Sequence, residues 1–294
     1  MMQMVVIEGR LVRLTNLDKP MWSGLGVTKG ELLHYLAEMA SVLLPHWRGR
    51  PMTVTRYPEG VEGSFFYQKN CPAGAPDWVQ THNWNGTRYV LVNDLSTLMW
   101  LGNQGVVEFH PAEFLAGEPE SSSYAVIDLD PTSPLGFEAA VEVALRCHEV
   151  LLQLDLKGYP KTSGATGIHV YVPLRSGYGF DVTAALAKTI GLMLQKAVPH
   201  MVTLERRIKL RRGVYVDYLQ NAPSKTLVGV YSPRPTPAAT VSTPVTWEEL
   251  AKIHPEEFTI RTVPQRVREV GDLFAEVLTC GQSLHHLLPI LASR

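Results

Sequence analysis

Two aspartates lie two residues apart at the end of an apolar run, in the sequence AVIDLDP. Side chains on a β-strand alternate between its two faces, so a strand here would project Asp128 and Asp130 to the same side. Two neighbouring carboxylates repel each other unless they share a cation, which makes the pair a candidate site for a divalent metal. The ordinary alternative is turn and capping chemistry, because Asp-Pro is also a common turn sequence.

A third carboxylate, Asp217, lies within the apolar and aromatic segment GVYVDYLQN. A charge without a partner would be costly there, so we expect a metal ion or an arginine beside it. If the two segments are adjacent strands, the three aspartates could hold two Mg2+ or Mn2+ ions roughly 3.5 to 4 Å apart. Such a pair of ions stabilises the attacking and leaving oxygens in phosphoryl transfer.

Between these carboxylates lies the segment KTSGATGIHVYVPL. Gly164 and Gly167 permit a tight turn whose amides can point at an anion, and Ser163 and Thr166 add hydroxyl donors. His169 begins the strand that follows. A plain hairpin turn and a core histidine are the competing interpretations. The segment has neither a Walker GKS or GKT nor a GxGxxG fingerprint, so kinase-like and dinucleotide-binding functions lose support.

Charge is balanced overall and uneven along the chain. The 27 Lys and Arg residues nearly cancel the 28 Asp and Glu, and a net charge of −1 argues against a polycation that coats nucleic acid. Residues 112–155 hold nine acidic residues and one basic residue, whereas residues 196–234 hold eight basic and two acidic ones. Both blocks could be solvated faces. Alternatively, the acidic block binds divalent cations and the basic block binds phosphates.

Length and composition indicate a globular protein. The 294 residues are 45% hydrophobic, which is enough to bury a sizeable core. The sequence has neither an apolar run of about 20 residues nor a signal peptide, so it predicts a cytoplasmic protein without membrane contact. The three cysteines are far apart and predict reduced thiols.

The elements that must position these residues follow from periodicity and capping signals. Thr28 with Glu31 predicts a capping box and a helix that stops at Pro45. Strands are then predicted at MTVTRY, SFFYQK and RYVLVND, and a helix at LSTLMWLGNQGVVEF.

The central pattern is strand (YAVIDLD), helix (FEAAVEVALRCHEVLLQL), strand (GYPKTSG), strand (IHVYVPL) and helix (DVTAALAKTIGLMLQKAV). The segments GVYVDYLQN and TLVGVYS predict two more strands before a Pro-rich loop or linker at 233–244. A short strand-containing segment and a terminal helix complete the chain. This order is typical of an α+β fold.

Eight segments occur in a fixed order along the chain: TNLDKPMW, LLPHWRGRPMTVTRYPEG, FFYQKN, VVEFHP, IDLDP, KTSGATGIHVYVPL, VDYLQN and YSPRP with the following VSTPVTWEEL. Together they resemble the polymerase domain of bacterial DNA ligase D, a member of the archaeo-eukaryotic primase superfamily that serves non-homologous end joining. The resemblance covers about residues 14–250. It implies an α+β primase-polymerase core of mixed and antiparallel β-sheets flanked by helices.

The resemblance implies a single domain over residues 1–294. Its end-binding and phosphate-binding part would occupy about residues 1–110, and its metal-binding catalytic core about residues 120–250. A tail segment would follow at 251–294.

The implied activity is template-directed addition of NTPs or dNTPs to 3' ends at DNA gaps and breaks, with two Mn2+ or Mg2+ ions. Asp128, Asp130 and Asp217 resemble the metal-binding catalytic carboxylates, and Asp217 is also placed to deprotonate or orient the primer 3'-hydroxyl. The residues that resemble nucleotide ligands are Ser163, Gly164, Thr166 and His169 for the triphosphate, Phe65 and Phe66 for the base, His110 for the sugar, and Arg234 for a nucleotide or primer phosphate.

Two further groups resemble DNA contacts. Asn16, Lys19 and Lys29 match positions that bind the 5'-phosphate across a gap, and three exposed polar residues are the alternative interpretation. The basic segment, defined here as Arg206, Arg207, Arg211 and Arg212 with the residues between them, would track the DNA backbone in a salt-sensitive way.

The chain departs from the family pattern in two places. The family's glycine turn usually carries a lysine where this chain has Thr166, so one charged contact to the triphosphate is either missing or supplied from elsewhere, with Lys161 or Lys225 as candidates. Ligase D fuses this module to a ligase, and no ligase segment follows Arg294 in this sequence. The resemblance therefore leaves two alternatives, a stand-alone polymerase or a domain whose partners, a separate DNA ligase and a Ku homologue among them, are separate chains.

Two other functions stay open at this point. One is short-patch gap filling in excision repair by the same chemistry. The other, of a different class, is a non-catalytic module that binds or bridges DNA ends. Binding alone needs positive charge and gives no reason for a cluster of carboxylates, which favours the catalytic hypothesis.

Overall fold

A computed structural model describes residues 2–292. The strands are β1 (Met2–Ile7), β2 (Arg10–Thr15), β3 (Pro20–Trp22), β4 (Val27–Thr28), β5 (Pro51–Arg56), β6 (Phe66–Gln68), β7 (Thr81–Trp84), β8 (Thr87–Leu91), β9 (Val106–Pro111), β10 (Tyr124–Pro131), β11 (Tyr159–Thr162), β12 (Ile168–Pro173), β13 (Val202–Thr203) and β14 (Val214–Val216). The α-helices are α1 (Lys29–Trp47), α2 (Leu95–Asn103), α3 (Phe137–Gln153), α4 (Phe180–Ala197), α5 (Trp247–Leu250), α6 (Val263–Val270), α7 (Ala275–Thr279) and α8 (Leu288–Ala292).

The chain folds into two compact units whose segments alternate along the sequence. Unit 1 comprises the chain up to Gly117 together with Thr226–Ser242 and Phe258–Gly271. Unit 2 comprises Glu118–Lys225, Thr243–Glu257 and the chain from Asp272 onward. The α+β fold class is confirmed. None of the helices that the structure describes is long and apolar enough to cross a membrane.

Unit 1 is built on a five-stranded antiparallel sheet in which β5 pairs with β6, β8 and β9, and β7 pairs with β8. The predicted capping box is present, because the Thr28 hydroxyl accepts from the Glu31 amide and the Glu31 carboxylate accepts from the Thr28 amide. The predicted stop of α1 at Pro45 is wrong: the helix continues to Trp47. That residue is fully buried and stacks on Phe109 with ring centroids 5.0 Å apart, so tertiary packing extends the last turn past the proline.

Two other predictions for unit 1 need correction. The helix predicted at LSTLMWLGNQGVVEF ends at Asn103, and its last residues form β9 instead. Gly105, with φ +79°, ends the helical run because this left-handed conformation suits glycine. The segment TLVGVYS forms no regular strand. Its Gly229 amide donates to Phe109 O and its Tyr231 amide donates to Ser242 O. These are isolated hydrogen bonds to two different segments and do not form the ladder of a β-strand.

Unit 2 is built on the sheet β11-β12-β10-β14-β13, which is antiparallel except for the parallel pair β13 and β14. Helices α3 and α4 pack against β10. A Cβ on Gly191 of α4 would lie 3.2 Å from a Val216 methyl, so α4 covers the face that Val216 and its partner Leu129 share. Because side chains alternate along a strand, Asp128 and Asp130 project from the opposite face.

The segment GVYVDYLQN is only partly a strand. It leaves the sheet after Val216, and Asp217 caps a 3-10 turn at Tyr218–Gln220 by accepting from the Leu219 amide.

The prediction for the end of the chain also needs correction. Between residues 251 and 292 the structure has the short helices α6, α7 and α8, and only isolated bridges from Thr259 and Gln282 in place of a strand.

Candidate active site

Four side chains form a row across four strands of unit 2, which we call the transverse row. In the antiparallel register, Lys161 on β11 lies opposite His169 on β12, and His169 lies opposite Asp128 on β10. The amide of Asp217, directly after β14, donates to Asp128 O at 3.0 Å. The strands that carry the carboxylates are therefore adjacent, as the proposed grouping of the three aspartates requires.

Three members of the transverse row, Lys161, His169 and Asp128, are buried and their side chains contact in sequence, whereas Asp217 is half-buried. Lys161 is fully buried, and His169 and Asp128 are 4% and 5% exposed. Lys161 Nζ lies 2.9 Å from His169 Nδ1, and His169 Nε2 lies 3.5 Å from Asp128 Oδ1. Each buried polar side chain thus has a polar neighbour, with the Asp128 carboxylate at one end of the three, which lowers the cost of burying them.

Asp217 connects the row to the basic segment. The Tyr215 hydroxyl donates to Asp217 Oδ1 at 3.2 Å, and the Arg211 guanidinium lies 3.5 Å from the centre of the Tyr215 ring. Burial, with the nearby Asp217 charge, raises the pKa of Tyr215 to about 12. Tyr215 therefore stays a neutral hydrogen-bond donor to this carboxylate at physiological pH.

The three aspartates suit a divalent cation in donor chemistry, because Mg2+ and Mn2+ prefer carboxylate oxygens. Tyr215 lies directly opposite Asp130 in the β10–β14 ladder, and its hydroxyl donates to Asp217. Because Asp128 is on the same face of β10 as Asp130, the three aspartates share one face of the sheet. Across residues 2–292, however, no group of three His, Cys, Asp or Glu side chains is gathered as a ready-made metal site. In this conformation, Asp217 Oδ1 accepts from Tyr215 and from the Leu219 amide.

In the glycine turn between β11 and β12, two backbone amides point at one oxygen atom. The amides of Ala165 and Gly167 donate to Ser163 Oγ at 3.2 and 3.1 Å, and Gly164 has φ +74°. Amides that converge in this way form a concavity suited to an anion. Thr166 is exposed at the tip of the turn.

A side chain at Gly167 would meet the carboxylate site. A Cβ there would lie 3.0 Å from both Asp130 Oδ1 and Leu129 O. Because the carbonyl belongs to the sheet, we expect Gly167→Ala to lower the free energy of unfolding by about 1 to 3 kcal/mol, measured by urea denaturation. Gly74→Ala is the matched control, since a Cβ there has no neighbour within 4 Å. Equal stability of the two variants would contradict this account of the turn.

Unit 1 carries a second polar cluster, centred on Glu108 of β9. Glu108 Oε1 lies 2.9 Å from Arg234 Nε, and its other oxygen lies 3.5 Å from the Tyr57 hydroxyl and 3.8 Å from His110 Nε2. Burial alone would raise the pKa of Glu108, but the nearby His110 ring and the Arg234 charge outweigh it, and the pKa lies below its usual value. Glu108 thus joins two predicted nucleotide ligands, His110 and Arg234. Glu108 was not among the predicted site residues, although a glutamate inside an apolar strand indicates a buried charge that needs a partner.

Exposed aromatic side chains lie at β6 of the same unit. Phe65 and Phe66 are 55% and 44% exposed, and the next residue, Tyr67, is also exposed. Phe65 stacks on Tyr57 at 5.4 Å, and the Arg56 guanidinium lies 5.2 Å from the Phe66 ring. Aromatic faces held open to solvent in this way can stack on nucleobases without reading their sequence.

The three predicted 5'-phosphate ligands have different surroundings. Lys29 is buried, and Nζ donates to Thr15 Oγ1 and to the backbone and side-chain oxygens of Asn103 at 3.0 to 3.3 Å. Burial, and the neighbouring charge of Lys19, lower the Lys29 pKa. Lys19 lies nearer the surface and donates to Pro58 O. Asn16 is exposed, in a left-handed turn with φ +52°.

The basic segment is a compact turn in unit 2. Arg207 forms a two-point ion pair with Glu205, with both N–O distances 3.0 Å, and Arg211 and Arg212 donate to backbone carbonyls of the segment. Hydrogen bonds from Arg207 lower the pKa of Glu205 to about 2. Arg206, Arg207, Lys209 and Arg212 are all exposed, so the segment presents positive charge to solvent, and only Arg207 of these four is paired with a carboxylate in the hydrogen bonds above.

A sheet that carries aspartates on one face beside a glycine turn and a histidine is the arrangement that the resemblance to primase-type nucleotidyltransferases predicts. A family model described as "LigD, primase-polymerase domain" matches residues 28–274. The chain belongs to this family, which confirms the resemblance found in the sequence.

Individual relatives agree with this assignment. The chain is 35% identical to the multifunctional non-homologous end joining protein LigD of Mycolicibacterium smegmatis over 90% of its own length. It is 36% identical to the bifunctional non-homologous end joining protein LigD of Bacillus subtilis over 88%. It spans only 36% and 43% of the length of these two proteins.

A solved structure has the same fold. The polymerase domain of Mycobacterium tuberculosis ligase D, in complex with DNA, is similar over 92% of this chain and 98% of its own. The TM-score is 0.84 at 32% sequence identity. The predicted fold class, a primase-polymerase core of antiparallel and mixed sheets with helices, is confirmed.

Proposed function

We propose that the protein is a DNA-binding, template-directed polymerase that adds NTPs or dNTPs to 3' ends at DNA gaps and double-strand breaks during non-homologous end joining. The transverse row carries this proposal, because it brings two of the predicted carboxylates, Asp128 and Asp217, beside the predicted triphosphate ligand His169. The similarity to a polymerase domain that was solved with DNA supports it. A Ku homologue and a DNA ligase are the proposed partners.

The chain's own residues would divide the work. Asp128, Asp130 and Asp217 would hold two Mn2+ or Mg2+ ions, which in such enzymes activate the 3'-hydroxyl and neutralise charge that develops at the α-phosphate. Asp217 would also orient the primer 3'-hydroxyl. Ser163 and His169 would donate hydrogen bonds to the triphosphate.

Unit 1 would supply contacts that tolerate any base. Phe65 and Phe66 would stack on the incoming base, His110 would lie at the sugar, and Arg234 would contact a phosphate. In unit 2, Arg206 and Arg212 would contact the DNA backbone, and this contribution would weaken as salt rises.

Primer extension tests the activity. A labelled primer faces a gap of one to three nucleotides, with either Mg2+ or Mn2+ and either ribo- or deoxyribonucleotides. We expect extension that depends on the metal and on the template base. If the protein binds this DNA but extends it under no condition, the polymerase proposal fails and a non-catalytic end-binding module takes its place.

The biological setting is tested with a second substrate. A synapsed pair of 3' overhangs is compared with a gap that carries a downstream 5'-phosphate. Faster extension across the synapsed ends supports end joining, and a preference for the phosphorylated gap supports short-patch gap filling in excision repair.

Lys19 and Lys29 should respond differently to the downstream 5'-phosphate. An ammonium has three donors, and Pro58 takes one of those of Lys19, so Lys19 can still reach a phosphate. We expect Lys19→Ala to reduce the stimulation by the 5'-phosphate about 5- to 10-fold. In Lys29, three protein acceptors match the three donors, so Lys29→Met should lower thermal stability and reduce the stimulation less. Exposed Lys252 of unit 2, changed to Ala, is the control; a response equal to that of Lys19→Ala would contradict the assignment.

A further inference from the structure

The first strand of unit 1, β1, has an open edge. On one side it pairs with β2 in an unbroken antiparallel register that runs from Met2 opposite Thr15 to Ile7 opposite Arg10. Across residues 2–292, no strand pairs with its other side, and residues 2–6 are all exposed. The outer edge of β1 therefore presents backbone N–H and C=O groups to water.

The two faces of the β1–β2 hairpin have different surroundings. Val12 and Leu14 of β2 are buried in one cluster with Leu33 of α1 and Met99 of α2. Four apolar side chains of the opposite face are 51% to 70% exposed: Met2, Met4, Val6 and Leu11. One face thus anchors the hairpin to unit 1, while its edge and its other face stay open to contact.

The features that keep exposed edge strands from pairing are missing in β1. Natural edge strands usually carry a lysine, a proline or a bulge for this purpose. The sequence of β1, MQMVVI, contains neither a charged residue nor a proline, and its pairing with β2 has no register shift. Such an edge is ready to take up another strand.

A second copy of the chain meets the requirements for that strand. Only Met1, Ser293 and Arg294 of the 294 residues lie outside the described range, too few to cover a six-residue edge from the same copy. A twofold axis normal to the sheet makes two β1 edges antiparallel, and residues opposite each other then share a face. The registers that pair most of β1 are centred on Met4 or on Val5, and every pair within β1 is uncharged.

Neighbouring charges do not oppose this pairing. Arg13 of β2 lies opposite Met4 and is exposed on the same face. In the register centred on Met4, the two Arg13 residues are three strand spacings apart, or roughly 14 Å. That separation exceeds the Debye length of about 8 Å at physiological salt, so their repulsion is screened.

We propose that β1 is a self-association surface, at which the β1 edges of two copies pair and join their hairpins into one four-stranded sheet in the order β2-β1-β1-β2. Each copy contributes only six strand residues, which places the contact at the small end of specific interfaces. The dimer therefore exchanges with the monomer, with a Kd on the order of 10 μM.

Sedimentation velocity measures the association. Wild-type protein should shift from monomer to dimer between about 1 and 200 μM. Met4→Lys introduces the residue that natural edges use against pairing, and it should weaken dimerisation at least about 10-fold. Met4 is 51% exposed, so the variant should fold, and thermal unfolding checks this. The control is Val270→Lys, the same charge change at a 47% exposed position of unit 1, which should dimerise like wild type.

Three results of this experiment would overturn the proposal. The first is a wild-type protein that stays monomeric at the highest concentration, as expected if the edge serves a different protein. The second is a dimer that Met4→Lys leaves intact, which would place the contact elsewhere. The third is equal weakening by Met4→Lys and Val270→Lys, which would make net charge the cause.

Cysteine cross-linking tests the twofold geometry. Met4→Cys and Val5→Cys place a thiol at the two candidate centres, where opposed Cα atoms come within the about 7 Å that a disulfide can span. Leu11→Cys, at an exposed position of β2, is the control, because its two copies would be at least about 14 Å apart. Wild-type protein, whose Cys71, Cys147 and Cys280 are free thiols, gives the background.

We expect a disulfide-linked dimer on a non-reducing gel from Met4→Cys or Val5→Cys, and none from Leu11→Cys. Linkage of Leu11→Cys as readily as the other two, or of none of the three, contradicts the paired edges. None of these measurements uses DNA or a nucleotide, so a failure of dimerisation and a failure of primer extension are separate results.

Discussion

Asp128→Asn should reduce primer extension about 10^3-fold or more while DNA binding stays within about 2-fold of wild type. The substitution keeps the volume of a side chain that is 5% exposed and removes only its charge. Under the proposed function, that charge holds a metal ion together with Asp130 and Asp217. Single-turnover extension, with binding measured on the same substrate by fluorescence anisotropy, separates the two effects.

The control for Asp128→Asn is Asp155→Asn in the same unit. Asp155 is exposed and has φ +53°, a left-handed conformation that asparagine tolerates well. The charge change is the same, and we expect wild-type extension. If Asp128→Asn extends primers within 10-fold of wild type, the carboxylate is not part of the catalytic machinery. If both variants fail, net charge and not the site explains the loss.

Glu108→Gln should impair both stability and nucleotide use. It leaves Arg234, 22% exposed, beside a neutral amide at the former 2.9 Å ion pair. Removing one partner of a fully buried pair costs about 3 to 5 kcal/mol, and partial exposure reduces our expectation to about 2 kcal/mol. Because Glu108 also contacts His110 and Tyr57, the KM for the nucleotide should rise about 10-fold.

The stability effect of Glu108 should depend on pH in a defined direction. Its pKa is lowered in the folded protein, so the carboxylate contributes stability above its ordinary unfolded value near 4.5. That contribution is lost as the pH falls through the lower folded value. The difference in unfolding free energy between wild type and Glu108→Gln should therefore be largest at neutral pH and shrink below pH 4.5. The control is Glu59→Gln, an exposed glutamate of the same unit, and a pH-independent difference would contradict the assignment.

Local signals predicted much of unit 2. Strand alternation placed Asp128 and Asp130 on one face, and the apolar runs of β10 and β12 were clear because both strands are buried. The sequence could not establish that β10 and β14 are neighbours, since pairing between distant segments leaves no local pattern. It also could not show that Lys161 faces His169 and not a phosphate, because that depends on the register of β11 and β12.

Errors arose where distant contacts override local preference. Trp47 extends α1 past Pro45 by packing on Phe109, a contact between separate segments. Glu108 was not predicted as a site residue, because its partner Arg234 is distant in sequence and lies in a segment predicted only as a Pro-rich loop or linker. The end of α2 could have been predicted from the glycine at position 105, because glycine commonly ends a helix in the left-handed conformation that Gly105 adopts here. The metal and nucleotide roles of the site residues remain predictions for the experiments above.

The alternation of the two units along the sequence limits how this protein can be dissected. The chain passes from one unit to the other at Gly117, Lys225, Ser242, Glu257 and Gly271, so no single cut yields either unit intact. A fragment ending at Leu250 would lose α6 from unit 1 and α7 and α8 from unit 2 at once. Exchanging one unit with that of a relative would require grafting three separate chain segments together. A protease that cuts one connection between the units would leave them still joined by the other four.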